Sequence, residues 1–208
     1  MPPILLLTGF EPFGGERRNP SWEVARRLDR RTIGGLEVRA ARLPVAMTPA
    51  IRRLNQSIAR LRPRAVLGLG QAGGRPTLSL EQVAINLFSN DEVSGGGRTR
   101  EIVAGGPDAY FARLPLTRML DALTREGIPA ALSLTAGAFV CNSVMYAGLH
   151  ALCRRPSIPA GFIHLPYEAR QAARHRGAPS MSIELMCRGV ELAIGAIARE
   201  AARARGRR

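Results

Sequence analysis

Lysine is absent from the chain. All 30 basic side chains are arginine, set against 16 acidic ones, and the formal charge is +14. A surface selected for nucleic acid usually mixes both cations, because lysine also neutralises phosphate well. The missing lysine therefore reads as a codon bias towards arginine. The arginines are also scattered, in pairs such as Arg17–Arg18, Arg52–Arg53 and Arg154–Arg155 and along the end from Arg199 to Arg208. No helix-turn-helix, zinc knuckle or aromatic RNA platform accompanies them, so nucleic-acid contact is expected to be non-specific at most. Cysteine is scarce as well. Three cysteines in 208 residues do not make a disulfide framework, and the odd count predicts thiols kept in a reducing cytoplasm. No apolar run approaches the roughly 18 residues of a membrane span. The opening Met1–Thr8 has no basic leader and too short an apolar stretch for a signal peptide. No membrane partner is expected.

What is present is ordinary globular composition, with 46% hydrophobic and 22% charged residues. The length suits one domain over residues 1–208, with the Arg-rich end 199–208 read as a frayed tail. Strand and helix patterns alternate. Ile4–Leu7 is a short apolar run, and Asn19-Pro20 opens a helix. Leu36–Leu43 alternates apolar and charged residues as a strand does. Thr48 is expected to cap the next helix, whose buried stripe is Ile51, Leu54, Ile58 and Leu61. Strands follow at Ala65–Leu69, Ala130–Leu134 and Gly161–His164, and Leu80–Leu87 is a strand or an extended segment. Helices follow around Leu116–Leu123, over Asn142–Cys153 and over Ile183–Ala202. Residues 88–108 read as a long surface loop. The pattern predicts an α/β fold: a single-domain three-layer α/β/α architecture with a mostly parallel twisted sheet.

In such a sheet, ligands bind beyond the carboxyl ends of the strands. Three unusual loops each follow a strand: Thr8–Gly15, Gly70–Gly74 and Thr135–Val140. His164 ends a fourth. Cys141 starts the helix after the third loop, within the strand–helix–strand unit from Ala130 to His164. Neighbouring strands lie about 4.8 Å apart, so Cys141 and His164 can meet across 23 positions of sequence. A helix N-terminus favours a thiolate, and its unpaired amides can hold an oxyanion. Glu81 sits in a mainly apolar stretch, where an acid needs a partner, and it could orient the imidazole. From spacing alone, a Cys/His/Glu hydrolase is one reading.

The residue blocks carry a further signal. The chain resembles the type I pyroglutamyl peptidases, a family of cysteine peptidases, over nearly its full length. The opening Leu7-Thr8-Gly9-Phe10-Glu11-Pro12-Phe13-Gly14-Gly15 with Asn19-Pro20-Ser21-Trp22-Glu23 is similar. So are Gly70-Gln71-Ala72-Gly73-Gly74-Arg75, the block from Glu81 to Asn86, and Gly105-Gly106-Pro107. The nucleophile block is Thr135-Ala136-Gly137-Ala138-Phe139-Val140-Cys141-Asn142, and the histidine block is Gly161-Phe162-Ile163-His164-Leu165-Pro166-Tyr167. The resemblance implies removal of an N-terminal pyroglutamyl residue from small peptides through a thioester. Cys141 would be the nucleophile, His164 the base and then the acid, and Glu81 the residue that orients His164. It also implies no metal or cofactor, a cytoplasmic location and a homotetramer.

The substrate fits the loops. Pyroglutamate is a flat, uncharged lactam, and aromatic side chains are only 5% of the chain. Three of them, Phe10, Phe13 and Phe139, fall in two of these loops and, with Val140, are candidates for the apolar walls. Gln71 is the candidate partner of the lactam amide. Two positions depart from the family pattern. Gln82 stands where a basic residue usually follows the acid. Residues 88–97 lack an Arg-Ile-Pro-Asp-like run, so its arginine would need a substitute in Arg75 or Arg98. Cys153 and Cys187 read as core-facing helix residues. The alternatives are a related thiol amidase or lactam hydrolase, and a catalytically silent polyanion-binding protein.

Overall fold

The computed structural model describes residues 2–89 and 99–206. The elements in order are β1 (Ile4–Phe10), α1 (Pro20–Leu28), β2 (Thr32–Ile33), β3 (Leu36–Leu43), α2 (Met47–Leu61), β4 (Ala65–Gln71), β5 (Leu78–Glu81), β6 (Val83–Ile85), β7 (Phe88–Ser89), β8 (Thr99–Arg100), β9 (Ala109–Phe111), α3 (Leu116–Arg125), β10 (Ala130–Ser133), α4 (Val140–Ala151), β11 (Ala160–Leu165), α5 (Ala169–Ala172) and α6 (Ile183–Gly206). Seven strands form the central sheet in the order β10-β5-β11-β4-β1-β3-β2. Its middle, β11-β4-β1-β3, is parallel. β5 pairs antiparallel with β11, β10 parallel with β5, and β2 antiparallel with β3.

The layers follow from strand alternation. In β1, Leu5 and Leu7 face a core shared with α1, α3 and α6, while Leu6 faces one shared with α2 and α4. All three leucines are fully buried, a placement that stabilises by roughly 1.5–3 kcal/mol per side chain. α1 starts where Pro20 fits the first turn and Asn19 Oδ1 accepts from Ser21 N at 3.0 Å. α4 is buried from Asn142 to Leu149, on all sides rather than along one stripe. It lies between the sheet, α2 and β6.

Five local expectations are corrected. Thr48 does not cap α2; the N-cap is Ala46, with no side-chain bond. The apolar run 80–87 is not one strand, because the chain leaves β5 after Glu81 and starts β6 at Val83. The 88–108 segment is not all loop, since β7 pairs with β8 in a two-residue ladder. The Arg-rich end is helical as far as Gly206. Lastly, β10 and β11 are not neighbours: β5 lies between them and runs against β11. Four-residue strands carry no directional signal, so alternation alone suggested a parallel unit there. Among the described residues, no helix is long and apolar enough to cross a membrane.

Candidate active site

His164 and Glu81 meet because their strands are antiparallel. Glu81 pairs with Phe162, and His164 is two residues further along β11 on the same face. Such diagonal neighbours are about 7–8 Å apart at the backbone, within reach of two long side chains. His164 Nδ1 lies 2.7 Å from Glu81 Oε1, with Glu81 fully buried and His164 nearly so. A carboxylate accepts, so Nδ1–H donates and the Nε2 lone pair is the one available for chemistry. The Phe162 ring meets the imidazole edge to face, 5.0 Å between centroids.

Cys141 reaches the same place from α4. Phe139 is the N-cap and offers no side-chain bond; the first intrahelical bond is Ser143 N to Phe139 O, 2.9 Å. The first-turn amides ahead of it are those a helix leaves without an i−4 acceptor. Gly70 makes room for the sulfur: a Cβ there would lie 2.8 Å from Cys141 Sγ. Gly70 is also the register partner of His164 on β4. The thiol therefore sits on bare backbone beside the imidazole's own strand neighbour. Asn142, fully buried, fixes the start of the helix. Its Oδ1 accepts from Ile85 N at 2.9 Å, and its Nδ2 donates to the carbonyls of Ile85 and Leu87 at 3.0 and 2.9 Å.

A cavity of about 450 Å³ opens over these groups. Its walls include every residue expected for the substrate, Phe10, Phe13, Gln71, Phe139 and Val140, together with Cys141 and His164. Glu81 stands behind His164, outside the cavity lining. Gln71 Oε1 accepts from Gln171 Nε2 at 3.0 Å, so its own amide hydrogens are what it can offer a ligand. Asn19, Val45, Arg75 and Tyr167 also line the space. Asn19 is at the same time the N-cap of α1. Tyr167 closes the histidine block, which is the signal the sequence holds for it. Its ring crosses Gly73, where a Cβ would come within 2.0 Å of it. Among the described residues, no three His, Cys, Asp or Glu side chains cluster as metal ligands would.

Three expectations change. Arg75 does not stand in for an oxyanion donor, because its Nη1 is 2.8 Å from Glu81 Oε1; Arg98 and the divergent 90–97 run lie outside the described residues. Gln82 lines a separate groove with Arg113 and Leu116, so position 82 does not enter the catalytic cavity. Cys153 follows the end of α4 and is exposed rather than packed in the core, whereas Cys187 is buried as expected.

Comparison with known proteins gives the family. The family model described as pyroglutamyl peptidase matches residues 4–200. The chain is 46% identical over 193 residues to the pyrrolidone-carboxylate peptidase of Escherichia fergusonii, covering 91% of this chain and 90% of the relative. It is 45% identical over 194 residues to that of Yersinia pestis, with the same coverage. The crystal structure of Bacillus amyloliquefaciens pyroglutamyl peptidase I superimposes with a TM-score of 0.89 at 36% identity, over 97% of this chain and 98% of that one. A mutant pyrrolidone carboxyl peptidase from Pyrococcus furiosus gives 0.88 at 36% identity, over 95% and 99%. The chain belongs to the pyroglutamyl peptidase family.

Proposed function

We propose that the chain is a cysteine omega-peptidase that hydrolyses the N-terminal pyroglutamyl residue from small peptides, with residues 1–208 forming one catalytic domain. The observation that carries this reading is the buried 2.7 Å His164–Glu81 bond beside Cys141, at the floor of a cavity walled by Phe10, Phe13, Phe139 and Val140. His164 takes the Cys141 proton, and the sulfur attacks the carbonyl carbon of the pyroglutamyl residue. The first-turn amides of α4 hold the resulting oxyanion. The C–N bond breaks as His164 returns the proton to the leaving amine, leaving a thioester. Water then attacks; His164 takes its proton and gives it to the departing sulfur, releasing pyroglutamic acid and the thiol. Glu81 keeps His164 in the productive tautomer throughout.

The pocket also explains the choice of substrate. Aromatic walls suit a flat ring, and Gln71 can donate to the lactam carbonyl. Proline lacks that carbonyl and would leave the donor unpaired, a loss larger than a missing methylene causes. A nucleophilic thiol needs a reducing compartment, so we place the enzyme in the cytoplasm. We expect a homotetramer; Phe111 and Leu134, each 75% exposed, are apolar surface that assembly would cover. The deciding experiment is release of chromophore from a pyroglutamyl anilide beside the prolyl anilide. Turnover of the first and not the second is expected. Absence of turnover between about pH 6 and 9 sinks the reading.

A further inference from the structure

The carboxylate behind His164 has two hydrogen-bond partners where orientation of an imidazole needs only one. Arg75 Nη1 and His164 Nδ1 both approach Glu81 Oε1, at 2.8 and 2.7 Å. Glu81 Oε2 is buried with no hydrogen-bond partner among the described residues. Burying such a carboxylate is costly, and a guanidinium against it reduces that cost. The same guanidinium extends to the loop that leads into the nucleophile helix. Nη1 lies 3.4 Å from Ser133 Oγ, and Nη2 donates to Thr135 O at 3.2 Å.

We propose that Arg75 is a positioning residue for the reaction: it fixes Glu81 against the nucleophile loop and sets the charge that His164 and Cys141 experience. This rests on the peptidase reading above. Of the elements around Glu81, β11 supplies His164 and α4 supplies Cys141. Further along α4, Tyr146 is bonded to Pro107 O and His150 to Tyr110. β10 carries no titratable side chain, and α6 packs on the opposite face against Leu78 and Leu80. Among the described residues, Arg75 is therefore the permanent cation of the cluster. A cation eases proton loss from its neighbours, so its removal makes that loss harder at both the acid and the base. Both limbs of the pH–rate profile then move to higher pH.

The test is kcat/KM for a pyroglutamyl anilide from about pH 5 to 10. It compares wild type, Arg75→Gln, Arg75→Lys, Glu81→Gln and the double variant Arg75→Gln/Glu81→Gln. Arg75→Gln should shift both limbs upward by roughly half a unit to one unit, while Arg75→Lys, which keeps the charge, leaves them in place. Adding Arg75→Gln to Glu81→Gln should cost less than roughly threefold, because the charge it acts on is already gone. The double variant also covers the case in which Arg75→Gln alone does not fold, since it removes the under-compensated carboxylate. Limbs that stay fixed in Arg75→Gln, or an equal loss in both Glu81 backgrounds, overturn the proposal. A wild type with no turnover defeats the peptidase reading instead.

Discussion

Cys141 and Cys187 are the same side chain in two settings, and the contrast shows what turns a thiol into a nucleophile. Cys187 lies within α6, buried in the core face. Burial pushes its thiol above the ordinary range, with Arg27 and Arg31 pulling the other way and Glu184 and Glu191 adding to the rise. Cys141 lies in the first turn of α4, half-buried, in the wall of a cavity with a histidine as neighbour. An apolar helix face disfavours the anion; a helix start favours it. The largest consequence is in turnover. Cys141→Ser should lose roughly a thousandfold or more, while Cys187→Ser and Cys153→Ser stay within about twofold of wild type. Activity measured with folding checked by circular dichroism decides it; loss on Cys187→Ser instead would reverse the assignment.

Alkylation sharpens the same contrast without mutation. Iodoacetamide on the native protein should modify Cys141 on the order of a hundredfold faster than Cys187, with exposed Cys153 between them. Peptide mapping over time reads the three rates, and equal rates would remove the helix-start argument.

The setting of Cys141 also depends on a missing side chain. Gly70 leaves room for the sulfur on one side and for the Phe162 ring on the other, and a Cβ would lie 2.8 Å from each. Gly70→Ala should push the thiol away from His164 and lower kcat/KM by on the order of tenfold, since small misplacements of reacting groups are costly. Gly35→Ala makes a useful control: nothing lies within 4 Å of its Cβ, although its φ of +84° adds backbone strain. If Gly70→Ala were as active as Gly35→Ala, the close fit at Gly70 would be irrelevant to catalysis.

Much of this arrangement was legible in the sequence. Cys141 at a helix start, His164 at a strand end and Glu81 in an apolar stretch each announce themselves locally, and the glycines at 70 and 73 stand where the backbone comes close to Cys141, Phe162 and Tyr167. The aromatic candidates Phe10, Phe13 and Phe139 were also readable, because so few aromatics were available to choose from. What was not legible is long-range. Four-residue β5 and β10 carry no sign of their direction, yet the antiparallel β5–β11 pairing is what puts Glu81 diagonal to His164. Arg75 stood out in the sequence only as a substitute for a missing arginine, and only the fold brings its guanidinium to Glu81. Cys153 followed the helical stripe on paper, but α4 ends at Ala151 and leaves it outside. Gln82 departs from the family pattern, but the chain turns between β5 and β6 and takes its side chain into another groove.

The smallest expected effect concerns stability at alkaline pH, and it tests the buried side of the comparison. Because burial raises the Cys187 thiol, folded and unfolded chains both hold the proton below roughly pH 8.5, the ordinary thiol value. Above it the unfolded chain loses its proton first, so Cys187 favours unfolding progressively until the folded thiol titrates as well. Tyr146, pushed up to about 12 by burial, acts in the same direction but only above roughly pH 10. Urea midpoints measured between about pH 7.5 and 9.5 therefore isolate the thiol. Cys187→Ala should flatten the fall of the midpoint across that window, whereas Cys141→Ala should flatten it less, because a helix start favours an anion. Equal flattening by the two variants would mean that the two settings do not differ in how they treat a thiolate.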